Sequence, residues 1–423
     1  MHKRAVVAAL ACCALVARPV RAQAPLGLAT HVEAQGFNVG SQTTAHVFGN
    51  LDLRFDSNPM LLSSQPASDL LLRIRVGGNI ARPSDKLDLK LALSFDYTQY
   101  MGVVNPATRR LSAPQGQLDF NLVGNRDGRF TFFFNDTLSR IDSAANISLT
   151  ERLRWTRNYA MIGTDIRPAG GRALEFRVSY GLDFTLYDPG QFSVADPLAI
   201  SFMTHTPALI ATWRFFPKTA LVGDVQGAFT IYPFPSLTPN TPVNGLRAQA
   251  GLVGQITAKL SIVAKAGYGG TFMVLPPAVP GTAGAAANFS SGIATVSATW
   301  KPSETTTVTA GYTRDFSAAP IFNWMSVDRG FAEFRQLMFS RFILDLKAQY
   351  MFQNFGISTI AGVLPRADHV IVGEARFSVQ GKAWFAAGVY YLPEIRVTSF
   401  IAPNGTPAAY QRHVVGLDAT FGW

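Results

Sequence analysis

The stretch Arg412-His413-Val414-Val415-Gly416-Leu417-Asp418-Ala419-Thr420-Phe421-Gly422-Trp423 closes the chain and sets its fold class. With a period of two, His413, Val415, Leu417, Ala419, Phe421 and Trp423 share one face, and Val414, Gly416, Asp418, Thr420 and Gly422 share the other. An edge strand in water blunts such an apolar face with charge or proline. A strand in lipid keeps it apolar and has to pair its backbone with another strand. The stretch therefore predicts the sealing strand of a membrane β-barrel, with the partner strand near Ala45 to Phe55.

The same alternation returns along the chain. Val47, Gly49, Leu51, Leu53 and Phe55 oppose His46, Asn50, Asp52 and Arg54, and Leu70, Leu72, Ile74 and Val76 oppose Arg73 and Arg75. Further on, Leu87 to Tyr97, Leu174 to Leu186, Leu246 to Ile256, Leu260 to Tyr268 and Phe342 to Tyr350 repeat it, always with charge confined to the second face. Charge on one face of an otherwise apolar strand is what a wet lumen permits.

Connections sort into two classes. Short ones such as Pro217-Lys218, Ala258-Lys259 and Gly381-Lys382 alternate with long ones near Ser57 to Ser68, Met101 to Gln115, Asp188 to Thr204 and Val274 to Asn288. Short turns at one end and long loops at the other describe an all-β, antiparallel, up-and-down transmembrane barrel of the bacterial outer membrane. Hairpin counting gives about 18 strands, or 16 if Arg129 to Thr156 and Val327 to Phe339 are read differently; either is wide enough for an aqueous path. Aromatics near the long loops (Phe55, Tyr97, Tyr100, Tyr187, Tyr232, Phe272, Phe316, Tyr391 and Tyr410) and near the short turns (Trp213, Phe215, Trp300, Phe339 and Trp423) are expected to form two interfacial girdles.

The N-terminus carries Lys3 and Arg4, an apolar run from Ala5 to Ala17 and the small-residue exit Val20-Arg21-Ala22, the layout of a secretory signal peptide spanning 1–22. Residues 23–41 follow as a short periplasmic leader, and 42–423 as the barrel. Both cysteines, Cys12 and Cys13, fall within the signal, which excludes a disulfide scaffold from the mature chain. A lipoprotein reading with Cys12 as the lipidated residue fits less well, because Ala9 stands where a larger aliphatic is usual. The formal charge of +10 shrinks once Lys3, Arg4, Arg18 and Arg21 leave. With no Lys/Arg cluster, nucleic acid is not an expected partner.

The inward face supplies the candidate chemistry. Pore-lining candidates are Arg54, Arg73, Arg75, Lys90, Arg177, Arg247, Lys265, Lys347, Arg376, Asp52, Asp183 and Asp345, with Arg73 and Arg75 the leading functional pair. The bland alternative is that these charges pair across the wall and brace it. His46, His205, His369 and His413 lack the spacing of a metal motif, so no metal, cofactor or catalytic residue is expected. A lipid hydrolase would need a serine beside His413, and none is visible in the pattern. Gly267-Tyr268-Gly269-Gly270 precedes no helix and is not a phosphate loop; glycines on the inner side of a curved strand explain it.

The segment Gly49-Asn50-Leu51-Asp52-Leu53-Arg54-Phe55-Asp56-Ser57-Asn58-Pro59 resembles the first strand of the β-barrel porins associated with capsule and exopolysaccharide export. Val327-Asp328-Arg329-Gly330-Phe331, followed by Arg335, looks like a second feature of that group. The resemblance implies an outer-membrane conduit for a polysaccharide cargo, working with a periplasmic polysaccharide co-polymerase or export protein, and puts Asp56 and Asn58 at the outer mouth. An Asx turn ahead of Pro59 is their alternative role. The terminal Leu417, Ala419, Phe421 and Trp423 resemble the signal read by the barrel-assembly machinery, with outer-membrane lipids and lipopolysaccharide as the surroundings. The expected function is thus a non-enzymatic exopolysaccharide or capsule channel, with a general solute porin or a lipid- or sugar-modifying enzyme as alternatives.

Overall fold

The computed structural model describes residues 36–39, 42–143, 153–168, 173–188, 200–234, 242–273, 288–319, 322–356, 366–398, 400–401 and 407–423. The expected signal peptide and most of the leader lie outside them. A two-residue segment, β1 (Phe37–Asn38), pairs with the first wall strand. The wall consists of β2 (Thr44–Asp56), β3 (Asp69–Arg82), β4 (Leu87–Tyr100), β5 (Ala113–Gly124), β6 (Phe130–Ser143), β7 (Leu153–Ile166), β8 (Leu174–Tyr187), β9 (Phe202–Phe216) and β10 (Thr219–Ile231). It continues through β11 (Val243–Thr257), β12 (Leu260–Met273), β13 (Ser290–Trp300), β14 (Thr306–Ala319), β15 (Phe322–Met338), β16 (Phe342–Phe355), β17 (Ala367–Lys382), β18 (Phe385–Thr398) and β19 (Tyr410–Gly422).

Consecutive strands pair antiparallel, and β19 returns to β2 from Val414↔Asp56 to Gly422↔Phe48, closing an 18-strand barrel. The backbones of Val47 and Trp423 exchange two hydrogen bonds of 2.9 Å, so the terminal residue itself finishes the seam. Closure removes every sheet edge, which is the condition for strands to stand in hydrocarbon. The stretches 129–156 and 327–339 hold β6, the start of β7 and most of β15, which settles the count at 18 rather than 16.

Outward rows are apolar and open, as Leu417 at 59% exposure and Ile162 at 58% illustrate. A barrel with this belt belongs in the bacterial outer membrane. Both barrel ends, Thr44 and Gly422, lie at the short-turn rim, which by that architecture is periplasmic. Trp384 stacks on Trp423 at 6.1 Å and Phe385 lies 5.2 Å from Phe421, so the last strand is bolted into an aromatic cluster at this rim.

Two expectations need correction. The long-loop rim has one tight connection, since β14 ends at Ala319 and β15 starts at Phe322, its register partner. The outer girdle also loses four members: Tyr100, Tyr187, Phe316 and Tyr410 are 2–5% exposed and point into the barrel. For Tyr100, Tyr187 and Tyr410, parity along the strand, not closeness to its end, sets the side.

Polar breaks in the outward rows occur in bonded groups. Tyr350 Oη meets His369 Nδ1 at 2.7 Å, Tyr391 Oη meets His413 Nδ1 at 2.8 Å, and Tyr180 and His205 repeat the arrangement. Midway along β6, Asn158 Nδ2 donates to Asp136 at 2.7 Å, between the outward Phe134 and Leu138. Pairing lowers the cost of polar groups in lipid.

Candidate functional site

The candidate site is the inner wall together with its extracellular mouth. Eleven of the twelve candidate residues are held in ion pairs. Arg54 donates to Asp52 at 2.6 Å through Nε; Arg73 lies 3.1 Å from Asp96, which Arg75 also contacts. Arg177 reaches Asp165 at 2.6 Å, Arg157 reaches Asp183 at 2.7 Å and Arg247 reaches Asp315 at 2.9 Å. Lys265 holds Asp224 at 2.6 Å, Lys347 holds Glu374 at 2.8 Å, Arg376 holds Asp418 at 2.8 Å, and Arg335 lies 3.7 Å from Asp345. Lys90 is exposed, with no ion pair to another described residue. Arg73 and Arg75 therefore share one carboxylate instead of forming a free cationic patch.

Arg75–Asp96, Arg177–Asp165, Arg335–Asp345 and Lys347–Glu374 join neighbouring strands because inward residues at matched register stand side by side, whereas Arg54–Asp52 lies within β2, and Arg247–Asp315, Lys265–Asp224 and Arg376–Asp418 reach over intervening strands. Across the seam, Tyr390 donates to Asp52 at 2.7 Å, and the Arg376 guanidinium stands 4.8 Å from the same tyrosine ring. Asp56 receives Arg412 through two nitrogens, at 2.7 and 3.0 Å, which locks β2 to β19 at the extracellular end. The Asn58 N–H donates to Asp56 at 3.0 Å, the Asx turn, while Asn58 Nδ2 donates to Leu62 O and Gln411 O. The Asp56 and Asn58 pair thus fixes the first loop against the last strand.

The mouth holds what the alternation did not reveal. β13 and β14 pair only from Trp300↔Val308 to Ala294↔Arg314, and beyond Arg314 the β14–β15 tip leaves the wall and turns into the lumen. Phe316 stacks on Phe289 at 4.6 Å and lies under the Arg247 guanidinium at 4.3 Å. A Cβ on Gly269 would overlap the Phe316 ring, so that glycine is the ring's seat. On the opposite flank, Phe322, Met325 and Val327 pack with Met351, Phe355, Val370, Val372 and the loop residue Phe400. Arg366 stands 4.6 Å from the Phe355 ring and 4.7 Å from Phe400 while gripping Asp368 at 2.9 Å. Burial lowers the Arg366 pKa from its ordinary value and Asp368 opposes that shift.

Alternation pointed to the inward rows but not to Arg366, Arg396, Arg412, Gln353 or Phe316. The available signal for Phe316 was the missing long loop after it. The enzyme alternative had His413, whose ring nitrogen is bonded to Tyr391; Ser57 Oγ instead accepts the His413 backbone N–H at 2.8 Å. Among the described residues no group of three or more His, Cys, Asp and Glu is arranged to hold a metal.

The class defined by these features is an 18-strand outer-membrane β-barrel with a charged interior. No protein-family model matches the chain, and no curated protein does. Similar solved structures include the outer membrane channel DcaP of Acinetobacter baumannii, 12% identical, covering 92% of this chain and 99% of that one with a TM-score of 0.44. OpdK of Pseudomonas aeruginosa with vanillate is 9% identical, covering 90% and 99% at 0.46. The siderophore receptor PirA from Acinetobacter baumannii is 8% identical, covering 92% and 81% at 0.46.

Proposed function

We propose that this barrel is a passive channel that carries polar solutes across the outer membrane. The observation that carries the reading is the contrast between the two sides of every strand: apolar rows outside, and a ring of arginines, lysines and carboxylates inside, which only water or polar cargo would wet.

Export of an exopolysaccharide or capsular chain is the more specific cargo reading. It is supported by the resemblance at Gly49 to Pro59 and Val327 to Arg335. Asp56 and Asn58 serve the seam in this reading rather than the polymer. A periplasmic co-polymerase or export protein would dock on the short turns between β3 and β4 or between β17 and β18.

Planar-bilayer recording of the purified protein tests both levels. Steady conductance is expected for a channel, and an inert membrane would refute it. Block by an acidic polysaccharide added from the periplasmic side supports export. Block by small solutes alone assigns a general solute porin.

A further inference from the structure

On the inner wall beside the β14–β15 hairpin, on either side of Asp368, two buried inward side chains keep polar atoms without partners. Gln353 on β16 is 1% exposed, and neither its Nε2 nor its Oε1 is hydrogen-bonded. It lies on the inner row between Met351 and Phe355, and its register neighbours are Val327 and Asp368. Arg396 on β18 is 4% exposed, with Nε and Nη1 both unbonded and Asp368 3.8 Å from Nε. Asp368 is already committed to Arg366, so Arg396 is the less satisfied of the two guanidiniums. Open donors and acceptors at this depth are rare, because a buried polar group without a partner forfeits its hydration.

We propose that Gln353 and Arg396 form a solute subsite for a hydroxylated carboxylate, reached when the hairpin tip withdraws. The chemistry selects that class. A guanidinium with two open N–H groups calls for an anionic oxygen, the amide Oε1 calls for a donor such as a hydroxyl, and the amide Nε2 takes a further oxygen. Arg366 is closed onto Asp368, and Arg412 stands between Asp56 and Glu394, so Arg396 is the guanidinium here whose Nε and Nη1 are left to take an anionic oxygen. Phe355, Phe400 and Tyr410 offer apolar faces to the carbon skeleton once the tip, and Phe322 with it, has moved. The proposal rests on the channel reading and deepens it, since a uronic acid has this pattern of groups.

The test is calorimetric titration of D-glucuronate and D-glucose into the detergent-solubilised full-length barrel, with conductance recorded on the same preparations. Wild type is expected to bind glucuronate about tenfold or more tightly than glucose. Gln353→Leu and Arg396→Met are each expected to weaken glucuronate about tenfold, with Gln353→Leu raising thermal stability. Should Arg396→Met fail to fold, Arg396→Lys keeps the charge and loses the planar donors, and it is expected to weaken binding as well. No glucuronate binding by wild type overturns the subsite. So does a Gln353→Leu variant of unchanged affinity, whatever its stability. A barrel that conducts but does not bind refutes the subsite alone, and one that binds but does not conduct refutes the channel alone.

Discussion

Asp56 and Arg412 show how single residues secure the barrel where its two ends meet. The carboxylate is fully enclosed, takes both Arg412 nitrogens and also accepts the Asn58 N–H, so three elements depend on one side chain. Removing one partner of such a pair leaves the other charge enclosed and unpaired, which costs about 3–5 kcal/mol. Arg412 would keep only its longer 3.5 Å contact with Glu394, so Asp56→Ala is expected to destabilise the folded barrel by about 3 kcal/mol, the low end of that range, read as a lower urea midpoint in heat-modifiable gel migration. Replacing both residues, Asp56→Ala with Arg412→Met, is expected to recover part of that loss, and no recovery would sink the pairing argument. The Asp56-x-Asn58 spacing was legible as an Asx turn. Its link to Arg412 was not, because nothing local in sequence says which residue 356 positions away will face it.

At the level of elements, period-two alternation made the wall strands readable one at a time, since each inward or outward choice is made by the solvent on that side. The β14–β15 tip escaped for a physical reason. Arg314 and Phe316 have the same parity, yet Arg314 pairs with the outward Asp328 while Phe316 turns inward onto Phe289, beside Gly269. That choice is made by the seat at Gly269 on β12, two strands along the wall, rather than by the segment's own pattern. Gly269→Val is expected to unseat Phe316, free the tip and raise single-channel conductance. Equal conductance in the variant would show that the tip does not narrow the path. The outward Asp136 belongs to the same scale. Its partner is the neutral Asn158, so Asp136→Leu is expected to stabilise the barrel in vesicles by about 1–2 kcal/mol if lipid covers β6. A destabilised variant would instead point to protein contact there.

Over the whole molecule, the pairing of inward charges decides how the pore treats ions. A porin with free basic residues along its path draws anions, but here Arg73 and Arg75 share Asp96, Arg376 lies between Glu374 and Asp418, and Lys265 is closed onto Asp224. Apart from Lys90, each of these inward positive groups stands within a few ångströms of a negative one, so beyond about a Debye length, roughly 10 Å at 0.1 M salt, their fields largely cancel. A neutral average of this kind gives little selectivity for small ions, while the walls still offer local charge to a cargo large enough to touch several pairs. The reversal potential in a potassium chloride gradient is accordingly expected to lie near zero. Asp96→Asn leaves two arginines facing one amide and is expected to shift it toward anions, and Arg376→Gln leaves Glu374 and Asp418 exposed to each other and is expected to shift it toward cations. Opposite shifts from two substitutions on opposite sides of the seam would establish that balance, rather than absence of charge, sets the selectivity. A wild-type pore already strongly selective for anions would show that the pairs open in the membrane and that the lumen acts as a cationic field.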